Sequence, residues 1–352
     1  MSIIDQSLPL VYDLNQTELL NLIIEWGEPK YRSQQIWQGL YKQLWNHPNQ
    51  FSNIPLPLRS RLADKLLFSA LEPINTQHSF DHETTKTLFR LPDQQVVEAV
   101  LMHYERRNTL CISSQAGCAM GCIFCATGQM GFKRHLSSGE IIEQVLYYAR
   151  LLHSQGEVVT NVVIMGMGEP FHNYQATMQA IDQLNDPLGF GMGERRFTIS
   201  TVGLVPQILE FAKAKRQINL AISLHAANDE LRSQLLPINR KYPLSALLDA
   251  CRQYIDQTRR RITFEWALIQ DVNDSPFHAQ ELVSLLDGLL CHVNVIQLNP
   301  TAKYAGKATN HQRAEAFKSV LTKSGIPCSI RIRRGIDIQA GCGQLAAESN
   351  SV

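Results

Sequence analysis

No apolar run in the chain reaches the roughly 18 residues that a membrane-spanning helix needs. The opening MSIIDQSLPLVYDL has neither a basic leader nor a small-residue cleavage site, so the expectation is a cytosolic protein. An excess of charge is missing too: 33 Lys and Arg against 32 Asp and Glu leave +1, which excludes a wholesale polyelectrolyte and leaves room only for local basic patches. Cysteine is too sparse, eight in 352 residues, for a disulfide scaffold. The chain carries no internal repeat and no low-complexity segment. What it does have, 44% hydrophobic and 18% charged residues, is the composition of a folded globular protein and excludes a disordered or fibrous one. The length suits two or three domains.

Residues 1–95 read as a separate, mainly helical domain. Asn15 to Trp26 and Gln34 to Trp45 are amphipathic stretches, and the proline-rich NIPLPL at 53–58 breaks the pattern. From 96 to 335, β-branched runs alternate with helical segments: LCISSQ, NVVIMG, FTISTV, LAISLH, ITFEWALI, VNVIQLN and CSIRIR, with helices such as Ser137 to His153 and Ser245 to Ile255 between them. Apolar strands alternating with helices predict an α/β fold with a parallel sheet covered by helices, best fitted by an open or closed β/α barrel. In such barrels the chemistry gathers at the C-terminal strand ends, where GMGE, ST, SLH and LNP stand. Residues 336–352 form a short C-terminal segment.

Cys118, Cys122 and Cys125 give C-x3-C-x2-C just after the first barrel strand. Three thiolates on one tight loop suit zinc, with His135 the nearest fourth ligand, or a [4Fe-4S] cluster that leaves one iron open. The spacing favours the cluster. Cys251, Cys291 and Cys328 sit in apolar patterns and read as buried, inert thiols.

An aromatic before the last cysteine, on the first β/α loop of a barrel, resembles the radical S-adenosylmethionine superfamily. The motifs CISSQAGCAMGCIFCATGQMGFKRHL, GMGEP, ISLHAANDELR, LLPINRKYP, DVNDS and GIDIQAGCGQL, in this order, are similar to those of the RlmN/Cfr family of RNA adenosine methyltransferases over nearly the whole chain. YRSQQIWQGLY and NIPLPLR resemble that family's small RNA-contacting domain. The resemblance implies a partial (β/α)6-type radical barrel holding one [4Fe-4S] cluster on Cys118, Cys122 and Cys125 and using two molecules of S-adenosylmethionine per turnover. It also implies a monomer served by an electron donor such as a flavodoxin or ferredoxin.

Methylation at an electron-poor adenine ring carbon is closed to ordinary polar attack. The resemblance implies that Cys342 is first methylated, that a deoxyadenosyl radical then activates its S-methyl group, and that the carbon radical adds to adenine. Glu98 would accept the ring proton, and Cys111 would attack the sulfur of Cys342, releasing product and leaving a transient disulfide. Cys342 serves as a nucleophile if nearby charge lowers its pKa. Without the family it is a cysteine in a flexible glycine-flanked tail, with Gly341 where relatives often have alanine. Carried-over cofactor positions are Gly168 and Glu169, whose backbone and carboxylate receive the ammonium, then Ser200, Ser223, Leu224, His225 and Asn299.

The implied substrate is an adenosine in the peptidyl-transferase centre of 23S rRNA, methylated at C2, with an anticodon-loop adenosine of tRNA as a second one. GMGEP resembles the RlmN side; a Cfr-type C8 methyltransferase conferring antibiotic resistance is the alternative. A non-catalytic zinc protein that binds RNA is the remote one. Lys133 to His135, Arg195 and Arg196, Arg259 to Arg261, and Arg331, Arg333 and Arg334 are local basic groups suited to phosphates. Arg331 and Arg333 are expected on one strand face toward RNA.

Overall fold

The computed structural model of the chain describes residues 8–345. Residues 1–7 and 346–352, which end the expected N-terminal and C-terminal segments, lie outside the described residues. The chain opens with three helices, α1 (Gln16–Glu25), α2 (Tyr31–Tyr41) and α3 (Leu56–Lys65). Asn15 starts α1: its side chain accepts from the backbone of Thr17 and Glu18, and Glu18 reaches back to the Asn15 amide at 2.8 Å, a capping box. Prolines at the first turn start α3.

The helical expectation holds to Lys65 and not to residue 95. Three strands, β1 (Glu72–His78), β2 (Thr84–Arg90) and β3 (Val96–Tyr104), form an antiparallel meander that runs on through β4 (Arg107–Cys111) into the barrel sheet. The threonines of TTKTLFR lie on a buried strand rather than a solvated one, because Tyr148 covers them and donates to Thr87 Oγ1 at 2.9 Å and to the Ala99 carbonyl at 3.0 Å. Nor is the helical segment separate: Tyr12, Trp37 and Tyr41 belong to one continuous apolar core with the barrel.

A small hairpin, β5 (Gln115–Gly117) with β6 (Phe132–His135), flanks a one-turn helix α4 (Ala126–Met130). The rest alternates as expected: α5 (Ser138–His153), β7 (Asn161–Ile164), α6 (Tyr174–Asn185), β8 (Phe197–Thr201), α7 (Val205–Lys213), β9 (Asn219–Ser223), α8 (Asp229–Leu235), α9 (Leu244–Thr258), β10 (Ile262–Leu268), α10 (Pro276–Leu286), β11 (Cys291–Gln297), α11 (His311–Lys323) and β12 (Cys328–Ile330). Strands β4, β7, β8, β9, β10, β11 and β12 pair in that order, all parallel. The sheet ends at β1 and β12, so the barrel is open, with six helical crossovers. Among the described residues no helix is long and apolar enough to cross a membrane.

Candidate active site

Gly117 ends β5 at φ 72°, and a Cβ there would come within 2.0 Å of the Gly131 carbonyl, so only glycine makes the turn into Cys118. The loop is tied by Cys118 N to the Gly131 carbonyl at 3.0 Å and Cys125 N to the Cys122 carbonyl at 3.2 Å. The thiols of Cys118, Cys122 and Cys125 are free and line one cavity. Burial pushes Cys118 up to about 12 and Cys122 well above its ordinary value, where Cys125 and Cys118 add to the effect. Three clustered thiols, Cys118 and Cys122 buried and Cys125 half-buried, repel one another as thiolates and are relieved by a cationic centre, which binds and deprotonates together. Among the described residues no three His, Cys, Asp or Glu side chains gather as the ligands of a single ion would. His135, the fourth ligand a zinc would need, faces Gln115 Nε2 at 3.0 Å and the His172 ring at 4.8 Å. The donor set fits a three-thiolate cluster.

The strand-end motifs surround that cavity. Gly168, at φ 101°, packs so closely on Gln115 that a Cβ would sit 2.6 Å from the glutamine Cβ, and Gln115 Oε1 accepts from Glu169 N at 2.8 Å. Glu169 is buried, which raises it to about 7 against the opposing pull of its hydrogen bonds. Its carboxylate accepts from Phe171 N at 2.9 Å and Val202 N at 2.8 Å, stitching the β7 loop to the end of β8. Ser200, Ser223, His225 and Asn299 also line the cavity. His225 is left-handed, φ 62°; its Nδ1 accepts from Ala267 N at 2.9 Å, which leaves the proton on Nε2. Burial, with Arg232 adding, lowers it to about 3 and keeps the ring neutral. Asn299 Oδ1 is buried without a partner, an acceptor left for a ligand donor. Leu224 turns into the core instead; its amide donates to the Glu265 carbonyl at 3.0 Å and its carbonyl takes Arg232 Nε at 3.1 Å.

Cys342 reaches the same cavity wall, as does Cys111 at the end of β4. The Cys342 segment is pinned, not a flexible tail. Asn299 Nδ2 donates to the Cys342 carbonyl at 3.0 Å, Ala126 N to the Gly343 carbonyl at 2.8 Å, and Thr127 Oγ1 to the Leu345 carbonyl at 2.6 Å. A Cβ at Gly341 would meet Asn299 Nδ2 and Gln344 Oε1, each at 2.6 Å. The expected lowering of Cys342 is reversed: desolvation at the cavity wall pushes the thiol up to about 11, and Arg331 offsets only part of the rise. Burial pushes Cys111 up to about 12, and Cys342 adds to the rise, so the two thiols are within electrostatic reach of each other. Glu98 lies on the β3 face that carries Val100, the cross-strand partner of Cys111. It is buried, does not line the cavity, and pairs with Lys86 Nζ at 3.0 Å. Lys86 also reaches the Gln339 carbonyl at 3.4 Å.

Sequence reasoning missed the residues that hold these groups in place, although its motifs contain two of them. Arg232, in ISLHAANDELR, is fully buried and donates to the carbonyls of Leu224, Val202 and Ser223 and to Asn239 Oδ1. Asn273, in DVNDS, donates to the carbonyls of His225 at 2.9 Å and Ala267 at 2.7 Å, and so fixes the strained histidine. The arginines at 331 and 333 do not share a strand face: β12 stops at Ile330. Arg331 lines the cavity, 3.6 Å from Glu265, and Arg334 pairs with Glu83 and stacks on Tyr104 at 4.4 Å. Arg134 is spent on Asp93 and Glu140.

Two family models match the chain: the radical SAM superfamily over residues 112–279 and the ribosomal RNA large subunit methyltransferase N-terminal domain over residues 11–67. A probable dual-specificity RNA methyltransferase RlmN of Chloroflexus aurantiacus is 48% identical over 347 residues, covering 96% of this chain and 92% of the relative. Dual-specificity RNA methyltransferase RlmN 1 of Myxococcus xanthus is 48% identical over 337 residues, covering 96% and 94%. The crystal structure of a radical SAM methyltransferase from Sphaerobacter thermophilus superposes with a TM-score of 0.95 at 48% identity, covering 97% of this chain and 100% of that one.

Proposed function

Because the chain belongs to the RlmN family of radical SAM RNA methyltransferases, we propose that it methylates C2 of an adenosine in 23S rRNA, and an anticodon-loop adenosine of tRNA, with Cys342 as the methyl carrier. The observation that carries the reading is one cavity whose wall holds the three clustered cysteines, the Gly168–Glu169 turn, Cys111 and Cys342 together. When bound, the cluster and S-adenosylmethionine supply reductive radical chemistry, with the electron coming from a donor such as a flavodoxin or ferredoxin.

The chain's own groups divide the rest. Cys118, Cys122 and Cys125 hold the cluster. The Gly168–Glu169 turn, Ser200, Ser223, neutral His225 and the open acceptor of Asn299 orient the cofactor, with Leu224 contributing backbone alone. Cys342 takes and presents the methyl group, and Arg331 beside it favours the thiolate that must attack. Glu98 takes the ring proton, and Lys86 holds its carboxylate. Cys111 then attacks the sulfur of Cys342, so the methylated adenosine leaves as the disulfide forms. The helical layer through residue 67 is the RNA-contacting unit, consistent with its match to an rRNA methyltransferase N-terminal domain.

The test is anaerobic reconstitution with methyl-labelled S-adenosylmethionine, reductant and protein-free 23S rRNA or tRNA, followed by nucleoside mass spectrometry. The expected product is 2-methyladenosine from both RNAs; 8-methyladenosine would overturn the regiochemistry. Cys342→Ala should keep its cluster and lose all methylation, and Cys111→Ala should accumulate a protein–RNA adduct. Full turnover by either variant sinks the role given to that thiol.

A further inference from the structure

Side chains alternate along a strand, so every second residue of each parallel strand faces the barrel interior. In a packed barrel those layers are filled by branched apolar side chains. Here one layer below the cysteine cavity is polar on all seven parallel strands. Thr109, Thr198 and Thr263 stand on β4, β8 and β10, Asn161, Asn219 and Asn294 on β7, β9 and β11, and Ser329 on β12. Together with Met102, Tyr104, Val163 and Met165 they line a cavity of about 720 Å³ that is open to solvent, within the range of small-molecule sites, roughly 300 to 1,000 Å³.

Its rim is arginine. Arg107 begins β4, and Arg259, Arg260 and Arg261 lead into β10. Among the described residues none of the four is in a salt bridge. Arg260 is held by neutral acceptors, Gln217 Oε1 at 3.0 Å and Asn219 Oδ1 at 2.8 Å, and Arg107 by the Tyr104 ring at 4.3 Å. These contacts fix the Arg107 and Arg260 guanidinium groups in place and leave their charge uncompensated, while Arg259 and Arg261 stand exposed at the rim. The one carboxylate on the wall, Glu265, is already engaged by Asn294 Nδ2 at 3.0 Å and by Arg331. Glu265 and Arg331 line both cavities, as do Met102, Val163 and Met165, so the two adjoin.

Asn219, Asn294 and Ser329 are spent on protein partners, but the hydroxyls of Thr109, Thr198 and Thr263 and the amide of Asn161, each able to donate and accept, suit ribose hydroxyls and base edges. Preset guanidinium groups recognise phosphate. We propose that the lower barrel is a second ligand site, built for a nucleoside monophosphate unit, supplied either as a free nucleotide or as a 5′-phosphorylated RNA end. The site adjoins the methyl-transfer cavity but includes none of its cysteines or cofactor-orienting residues, so its failure leaves that reading untouched.

Calorimetric titration of the cluster-loaded enzyme with AMP, at saturating S-adenosylmethionine to keep the upper site filled, tests it. Expected is one saturable AMP site, at least tenfold tighter than adenosine or inorganic phosphate, and weakened at least tenfold both in Arg259→Gln/Arg261→Gln and in the isosteric Thr263→Val. Affinity for S-adenosylmethionine should stay unchanged in both variants. Competition by a 5′-phosphorylated hexaribonucleotide, but not by its 5′-hydroxyl counterpart, assigns the site to RNA; AMP binding without such competition assigns it to free nucleotide. Absence of saturable AMP binding, or binding indifferent to both variants, overturns the proposal.

Discussion

Glu143 shows at the residue scale how one buried group ties stability to pH. Its carboxylate, under α3 and the strand that follows, accepts from Ser69 Oγ and from Ala70 N at 2.8 Å, yet burial raises it to about 7 from 4.5. Between those values the unfolded chain gives up a proton that the folded one keeps, so this group's contribution falls as pH rises from about 4.5 to about 7. Glutamine can keep both contacts, its oxygen accepting from Ala70 N and its amide donating to Ser69. The melting temperature of Glu143→Gln relative to the parent should therefore climb between pH 5 and pH 8, by a few degrees. Scanning calorimetry at four pH values checks it, and parallel curves would show the burial effect to be absent.

The element that organises the site is α5. Ser137 caps it, accepting from Glu140 N at 3.2 Å, while Glu140 accepts from Ser137 N at 2.9 Å and from Arg134. Asp13, from the N-terminal layer, adds its carboxylate at the same end, accepting from Gly139 N at 2.7 Å, where the helix dipole favours negative charge. One turn on, Gln144 clamps Ser113, accepting from its amide at 2.8 Å and donating to its carbonyl at 3.0 Å. Ser113 in turn donates to the Glu98 carbonyl at 2.6 Å. Ser137→Ala should cost about 1 kcal/mol in urea unfolding, with methylation per folded molecule unchanged. An activity loss without a stability loss would mean that the cap acts on the site directly.

At the scale of the whole molecule, the helical layer and the barrel share one apolar core. Tyr41 donates to Gln183 Oε1 at 2.8 Å, Gln16 pairs with Asp186, and Gln179 reaches the Asp13 carbonyl at 3.3 Å. Removing residues 1–70 would expose the apolar faces that α5 and α6 bury against Tyr12, Trp37 and Tyr41, at about 1.5 to 3 kcal/mol for each large side chain lost from the core. Summed over Tyr12, Trp37 and Tyr41, that is comparable to the roughly 5 to 15 kcal/mol by which domains are typically stable. The truncated chain should bind a hydrophobic dye and lose its cooperative melt. A sharp transition near that of the full chain would show the barrel to be independent.

The sequence by itself determined the alternation of strands and helices from β4 onward, a β/α barrel that it left open or closed, the cysteine loop and the strand-end residues, because period, turn chemistry and motif spacing are local and survive in one dimension. It did not reveal the antiparallel entry of β1 to β3, whose threonine-rich β2 is buried only because α5 lies across it. It could not reveal that Cys342, more than 200 residues from Cys111, is pinned beside the cluster loop. Nor could it show that Arg331 turns inward, or that one polar residue from each parallel strand lines the lower cavity. Those facts depend on which elements pack against which, and only the tertiary structure decided them: burial and electrostatic pairing are set by distance in space, not along the chain.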